Sequence, residues 1–152
     1  MLIKLISGGQ TGADYISLEV AEELGIPTGG TAPKGWRTEN GPNPELGTRF
    51  GLVESYSVDY MPRTRDNVRD SAGTVIFDYH NSGGSIQTKN ICVRLGRPYI
   101  INPDETALVQ WLIGNNIDIL NGAGNRGSKL SVFEKQNIRH ILRVALAYAR
   151  VN

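Results

Sequence analysis

Three stretches of this 152-residue chain combine glycine with short hydroxyl and amide side chains: SGGQTGAD at 7–14, HNSGGS at 80–85 and NGAGNRGSK at 121–129. A glycine loop that feeds a helix directs unpaired backbone N–H groups, and the positive end of the helix dipole, at one spot, and an anion fits there, most often phosphate. The side chains beside the glycines are adaptable donors: Ser7, Gln10 and Thr11 in the first stretch, Asn81, Ser82 and Ser85 in the second, Asn125 and Ser128 in the third. None of the three is GxGxxG or the phosphate-loop pattern ending in Lys-Ser/Thr, so the chemistry is read from their convergence and not from any one of them. Asp14 opens a helix, where a carboxylate favours the dipole; its other reading is an acceptor for a sugar hydroxyl.

Further candidates lie between the glycine stretches. In PKGWRTENG, Lys34 and Arg37 are placed to neutralise phosphate oxygens, Trp36 to stack on a flat base, and Glu39 completes the charged set, with a solvated loop as the competing reading. Arg63, Thr64 and Asn67 open a charged helix from which they could reach a ligand. Catalytic groupings are thin: His80 and His140 are far apart, no Ser-His-Asp context or metal-ligand spacing is present, and no catalytic or metal residue is assigned. Residue types and spacing point to binding more clearly than to turnover.

The elements that must position these loops follow a regular order. Apolar runs at 2–6, 26–30, 73–79, 98–102 and 116–122 read as strands, with 52–57 as an edge strand. Helical period covers 14–25, 62–71 with Pro62 in its first turn, 85–96, 105–115 and 130–150. Residues 31–50 carry three prolines and no period, which predicts a long functional loop. Strand, glycine loop and helix, three times over, predict a three-layer α/β, Rossmann-like fold with a mainly parallel sheet, in which the glycine loops open together at the strand carboxyl ends. The length suits one domain spanning 1–152.

With 16 Lys+Arg against 15 Asp+Glu the net charge is +1, which argues against a nucleic-acid partner. The single cysteine, Cys92, reads as a small buried residue, and its lack of a pairing partner fits a reducing, cytoplasmic setting. The start MLIKLI is too short for a signal segment, and no run approaches the roughly 18 apolar residues of a membrane span.

Taken together, ISGGQTGAD, GIPTGGTAPKGWRTENGP, RTRDNVRDSAGTVIF, SGG before a helix and LGRPYIIN, and LNGAGNRGSK resemble the putative molybdenum-cofactor carrier family. That family is a circularly permuted branch of the superfamily, SLOG, that joins the lonely-guy hydrolases and the DNA-processing protein. The resemblance implies a Rossmann-like fold, homo-oligomers (dimer or tetramer) and a pocket for nucleotides or phosphorylated heterocycles. Motif by motif it points to Gly8, Gly9, Gln10, Thr11, Gly12, Lys34, Arg37, Asn67, Gly83, Gly84, Gly124 and Ser128. In the hydrolase relatives a threonine and a glutamate follow the glycine pair; GGSIQTKN keeps Thr88 and has Asn90 in place of the acid, and an amide is no general acid or base.

The expectation is therefore non-catalytic binding of a small phosphate-bearing molecule, a nucleotide derivative or a molybdopterin-type ligand, by a carrier or by a protein that sequesters a cyclic ADP-ribose-type messenger. The alternatives are a nucleotide hydrolase with Glu39 or Asp14 as its acid, and a ligand-free module assembled through Phe133, Ile138, Leu142 and Leu146 of the last helix. Under the binding reading, Gly9→Val or Gly12→Val blocks the site and leaves the domain folded.

Overall fold

The computed structural model describes residues 1–152. Five parallel strands form the central sheet: β1 (Lys4–Ser7), β2 (Thr28–Gly29), β7 (Gly73–Phe77), β8 (Tyr99–Ile101) and β9 (Ile119–Gly124), in the spatial order β2-β1-β9-β7-β8. Every residue of β7 is buried, as its almost wholly apolar run GTVIF leads one to expect of a strand covered on both faces. Helix α1 (Ala13–Glu23) carries the chain from β1 outward to β2, and α4 (Gly83–Leu95) carries it from β7 outward the opposite way to β8. Right-handed crossovers in opposite directions put the two helices on opposite faces. Helix α6 (Val132–Ala149) packs with both α1 and α5 (Glu105–Gly114), while α3 (Tyr60–Arg69) packs with α4. The strand order reverses between β1 and β7, with β9 in the gap, and a crevice opens there at the strand carboxyl ends.

Side chains fix the helix starts. Ser82 caps α4 by accepting from Ser85 N–H, Asp104 caps α5 by accepting from Ala107 N–H at 2.7 Å, and Ser131 with Glu134 forms a capping box on α6. Helix α3 begins at Tyr60, two residues before the predicted start, so Pro62 occupies its first turn, where a missing N–H leaves no helical bond unmade. Strand β9 starts later than predicted and runs on through Gly122 to Gly124, because a Cβ at Gly122 would meet Ser17 Cβ of α1 at 2.6 Å and only glycine lets helix and strand approach so closely.

The segment 31–50, expected as a long ordered or partly ordered loop, holds regular elements. It contains β3 (Thr31–Ala32), the hairpin of β4 (Arg37–Thr38) and β5 (Gly41–Pro42), and the short helix α2 (Glu45–Thr48). Its lack of period hid that Leu46 and Phe50, with Leu52 just beyond, are buried in the main core of 25 apolar residues. The edge strand predicted at 52–57 shrinks to β6 (Val53–Glu54), which pairs with β3 and not with the central sheet.

The proposed assembly face of α6 is also corrected. Ile138, Leu142 and Leu146 are fully buried in the chain's own core, against α1 and α5, and only Phe133 of the four is exposed. Cys92 is fully buried beside Val68 and Ile91, and burial pushes its thiol pKa up. No helix is long and apolar enough to cross a membrane.

Candidate functional site

The crevice holds a cavity of about 550 Å³ between the ends of β1 and β9, the start of α4 and the first turn of α3. Six residues singled out from the sequence line it: Gln10, Asp14, Ser82, Gly83, Gly84 and Gly124. Arg126, Lys129 and Gln87, none of them a candidate from the sequence, line it as well, together with Arg63 and Thr64, expected only to reach a ligand. The signal for two of them is in the sequence: the third glycine stretch ends in RGSK, which puts two cations three residues apart just past the end of β9.

Helix α4 supplies the anion-binding geometry. The amides of Gly83 and Gly84 in its first turn make no hydrogen bond within the protein, since Ser82 takes only the amides of Ser85 and Ile86. A Cβ added at either glycine meets no atom within 4 Å, so the backbone is bare on the cavity side. Two N–H donors and a 13-residue helix dipole thus face the same space as Arg63, Arg126 and Lys129.

The first loop behaves differently. Three of its amides are taken up internally: Gly9 N–H donates to Ser7 Oγ at 3.1 Å, Gln10 N–H to Asp14 Oδ2 at 3.2 Å, and Thr11 N–H to Gln10 Oε1 at 3.0 Å; those of Gly8 and Gly12 have no hydrogen-bond partner in the protein, and neither glycine lines the crevice cavity. A side chain at any of its glycines would meet protein atoms. Cβ atoms would lie 2.6 Å from Arg63 Cζ at Gly8, 2.7 Å from Leu46 Cδ1 at Gly9 and 2.6 Å from the Gly127 nitrogen at Gly12. Gly9 and Gly12 also have φ values of 74° and 82°, which side chains rarely adopt. Valine at either position therefore attacks the fold itself, and the expectation that such variants stay folded is withdrawn.

Arg63 and Asp14 form the floor. The Arg63 guanidinium lies over Gly8, donates from Nη1 to Thr64 Oγ1 at 2.9 Å and stands 3.8 Å from Asp14 Oδ2. Its Nε is buried without a hydrogen-bond partner. Burial raises the Asp14 pKa from 3.8 to about 6, although the Arg63 charge and the Gln10 amide pull it down. At the rim, His80 Nε2 lies 3.0 Å from Glu134 Oε1.

A second cavity of about 650 Å³ lies across the 125–128 backbone and takes in Gly9, Thr11, Gly12, Glu39 and Ser128. Its charged groups largely answer one another. Glu39 accepts from Thr11 Oγ1 at 2.5 Å, from Ser128 N–H at 2.9 Å and from Ser128 Oγ at 2.6 Å. Partial burial opposes its ionisation, but the hydrogen bonds from Ser128 and Thr11 prevail and hold its pKa below the usual carboxylate range. Arg139 is paired with Glu19 at 2.9 Å. Glu39 thus ties the β4–β5 hairpin to the loop after β9, with its acceptors in use.

The remaining sequence candidates lie outside both cavities. Lys34 is exposed, and Arg37 is held by Val58 O at 3.1 Å and by the Tyr60 ring 4.8 Å away. Trp36 packs over Gly47, where a Cβ would come within 2.7 Å of its ring. Asn67 is buried and clamps both backbone groups of Thr31, at 2.8 and 2.9 Å. Asn125 is buried and takes Tyr79 N–H at 2.7 Å; Ser7 is buried beneath Gly9; Ser85 serves the α4 cap; Asn81 is exposed in the turn before it. No group of three or more His, Cys, Asp or Glu side chains is arranged to hold a metal ion.

Comparison with known proteins fits this architecture. No curated protein sequence matches the chain. A crystal structure from Syntrophus aciditrophicus, of a protein named "putative molybdenum carrier protein", superposes with a TM-score of 0.86 at 36% sequence identity, covering 96% of each chain. The model of the circularly permutated YpsA SLOG family matches residues 5–145. With nearly the whole chain covered by that match, and a parallel sheet whose crevice sits at the reversal of strand order, the protein belongs to the circularly permutated YpsA branch of the SLOG family.

Proposed function

We propose that this protein binds, without turning over, a small organic molecule that carries phosphate, a nucleotide derivative or a molybdopterin-type cofactor, in the crevice between β1, β9 and β7. The observation that carries the reading is the convergence of the free Gly83 and Gly84 amides with three cations, Arg63, Arg126 and Lys129, on one cavity of about 550 Å³. That volume suits a nucleotide-sized ligand. The name of the Syntrophus aciditrophicus relative supports the molybdenum version, and sequestration of a nucleotide messenger draws on the same chemistry.

The test is calorimetric titration with AMP, ADP-ribose and molybdopterin-type ligands, on the wild type and on Gly83→Val. Valine at 83 sits at the exposed start of α4, where it fills cavity space and leaves the core untouched. Binding to the wild type that falls at least tenfold in Gly83→Val supports the site; equal binding by both proteins rejects it. Asp14, a buried carboxyl with a raised pKa in the same cavity, favours a second reading as a hydrolase acid, and release of free base or phosphate during the titration identifies that reading.

A further inference from the structure

The Asp14 side chain is 5% exposed. Its Oδ2 accepts from Gln10 N–H and faces Arg63, while Oδ1 receives no hydrogen bond from the protein and is not fully shut off from solvent; the residue lines the crevice cavity. A buried carboxylate with a free acceptor oxygen is an unusual fixture in an anion pocket. It offers lone pairs and no proton, and it opposes any second negative charge brought close. The titratable and charged groups that share its cavity are Tyr60 and Arg63 from α3, Arg126 and Lys129 from the segment after β9, and His80 from the turn before α4.

These groups separate two kinds of anion. A tetrahedral dianion with no proton, such as sulfate or molybdate, is attracted by the cations and the Gly83 and Gly84 amides, but it gives Asp14 nothing to accept. A phosphate ester of a polyol brings the same anionic head and a hydroxyl donor beside it. We infer that Asp14 is a specificity residue that selects a hydroxyl-bearing phosphate ester and rejects bare oxyanions, molybdate included. Molybdenum carried at this site would then travel inside an organic phosphate-bearing molecule and not as the free oxyanion. The inference rests on the anion-binding reading of the crevice. The raised pKa of Asp14 supports it, because the carboxylate is already under-solvated and gains from a new donor.

The experiment is calorimetric titration of the full chain at pH 7.5 with ribose 5-phosphate, sulfate and molybdate, on wild type, Asp14→Asn and Gly83→Val. The wild type is expected to favour ribose 5-phosphate by at least tenfold. In Asp14→Asn, whose carbonyl can still accept from Gln10 N–H, sulfate and molybdate should bind several-fold tighter and ribose 5-phosphate several-fold weaker. Opposite signs mark a specificity role, since a purely structural one weakens all three together. A uniform loss, no change, or molybdate binding the wild type as tightly as ribose 5-phosphate overturns the inference while leaving an anion site in place. Absence of binding by all three anions, or binding unaffected by Gly83→Val, overturns the anion reading and the inference with it.

A second measurement needs no substitution. Lowering the pH of the wild type from 7.5 to 5 protonates Asp14 and should narrow the preference for ribose 5-phosphate over sulfate. The same series on Asp14→Asn gives the contribution of every other titrating group, the phosphate of the ligand included. A wild-type preference that does not move relative to Asp14→Asn counts against the inference.

Discussion

An ionised Asp14 should weaken the fold, and the size of that effect follows from the structure. The carboxyl titrates near 3.8 when solvated and near 6 when folded, a shift of about two units caused first by burial. Each unit corresponds to about 1.4 kcal/mol, so the charged form disfavours the native state by about 3 kcal/mol. Because the folded pKa is the higher one, the native state binds more protons between these values. Stability is therefore highest below about pH 4, falls as pH rises through the window up to 6, and the full deficit persists at pH 7.5. Other carboxylates act in the opposite sense at low pH, so the difference between two proteins is the quantity to measure. Asp14→Asn removes the charge and keeps the acceptor for Gln10 N–H, and is expected to raise stability at pH 7.5 by about 2–3 kcal/mol, or roughly 5–10 °C in Tm for a chain of this size. The gain should shrink to near zero by about pH 4. Thermal unfolding of both proteins across pH 4–8 checks this. A destabilised Asp14→Asn at pH 7.5, or a gain that does not change with pH, would refute the reasoning that Asp14 is a destabilising group kept in a binding site.

The two kinds of glycine should respond oppositely to substitution. Gly12→Ala places a Cβ 2.6 Å from the Gly127 nitrogen at a φ of 82°, and is expected to lower stability by about 3 kcal/mol or more in urea titration, whereas Gly84→Ala is expected to stay within about 1 kcal/mol of wild type. Asn67→Ala leaves the buried amide and carbonyl of Thr31 without partners, and should cost about 2–4 kcal/mol, with faster hydrogen exchange at Thr31 than elsewhere in the core.

The strands and helices of the central sheet were legible because local pattern and tertiary role agree in them. GTVIF is apolar but for Thr74, whose hydroxyl accepts from Asn121, because it is covered on both faces, and SIQTKNICVRLG ends where Gly96, at a φ of 65°, lets the chain leave the helix. The segment 31–50 was not legible, because what orders it is distant: Asn67 holds Thr31, Glu39 is held by Ser128, and Gly47 lets Trp36 lie flat. None of these contacts leaves a period in the sequence. The same distance misled the reading of side chains. Asn67 and Asn125 belong to the pattern that marks binding loops, yet each is a buried bracket for backbone groups that have no strand partner.

The three glycine stretches show why composition alone does not locate the site. In SGGQTGAD and in the run ending at Gly124, the missing side chains let protein pack on protein: Arg63 over Gly8, Leu46 against Gly9, Ala13 Cβ beside Gly124 at a distance a Cβ would reduce to 2.9 Å. Only at Gly83 and Gly84 does the missing side chain leave space. The first and third stretches are nonetheless needed for the second to work, because their tight packing brings Asp14, Arg126 and Lys129 to the mouth of α4. Strand order completes the arrangement: β9, last in the sequence, lies between β1 and β7, so the cations that follow it arrive opposite a helix start formed some forty residues earlier. The cavity is thus a product of topology acting on short motifs, with two glycine stretches packed against protein and the Gly83–Gly84 pair left open to it.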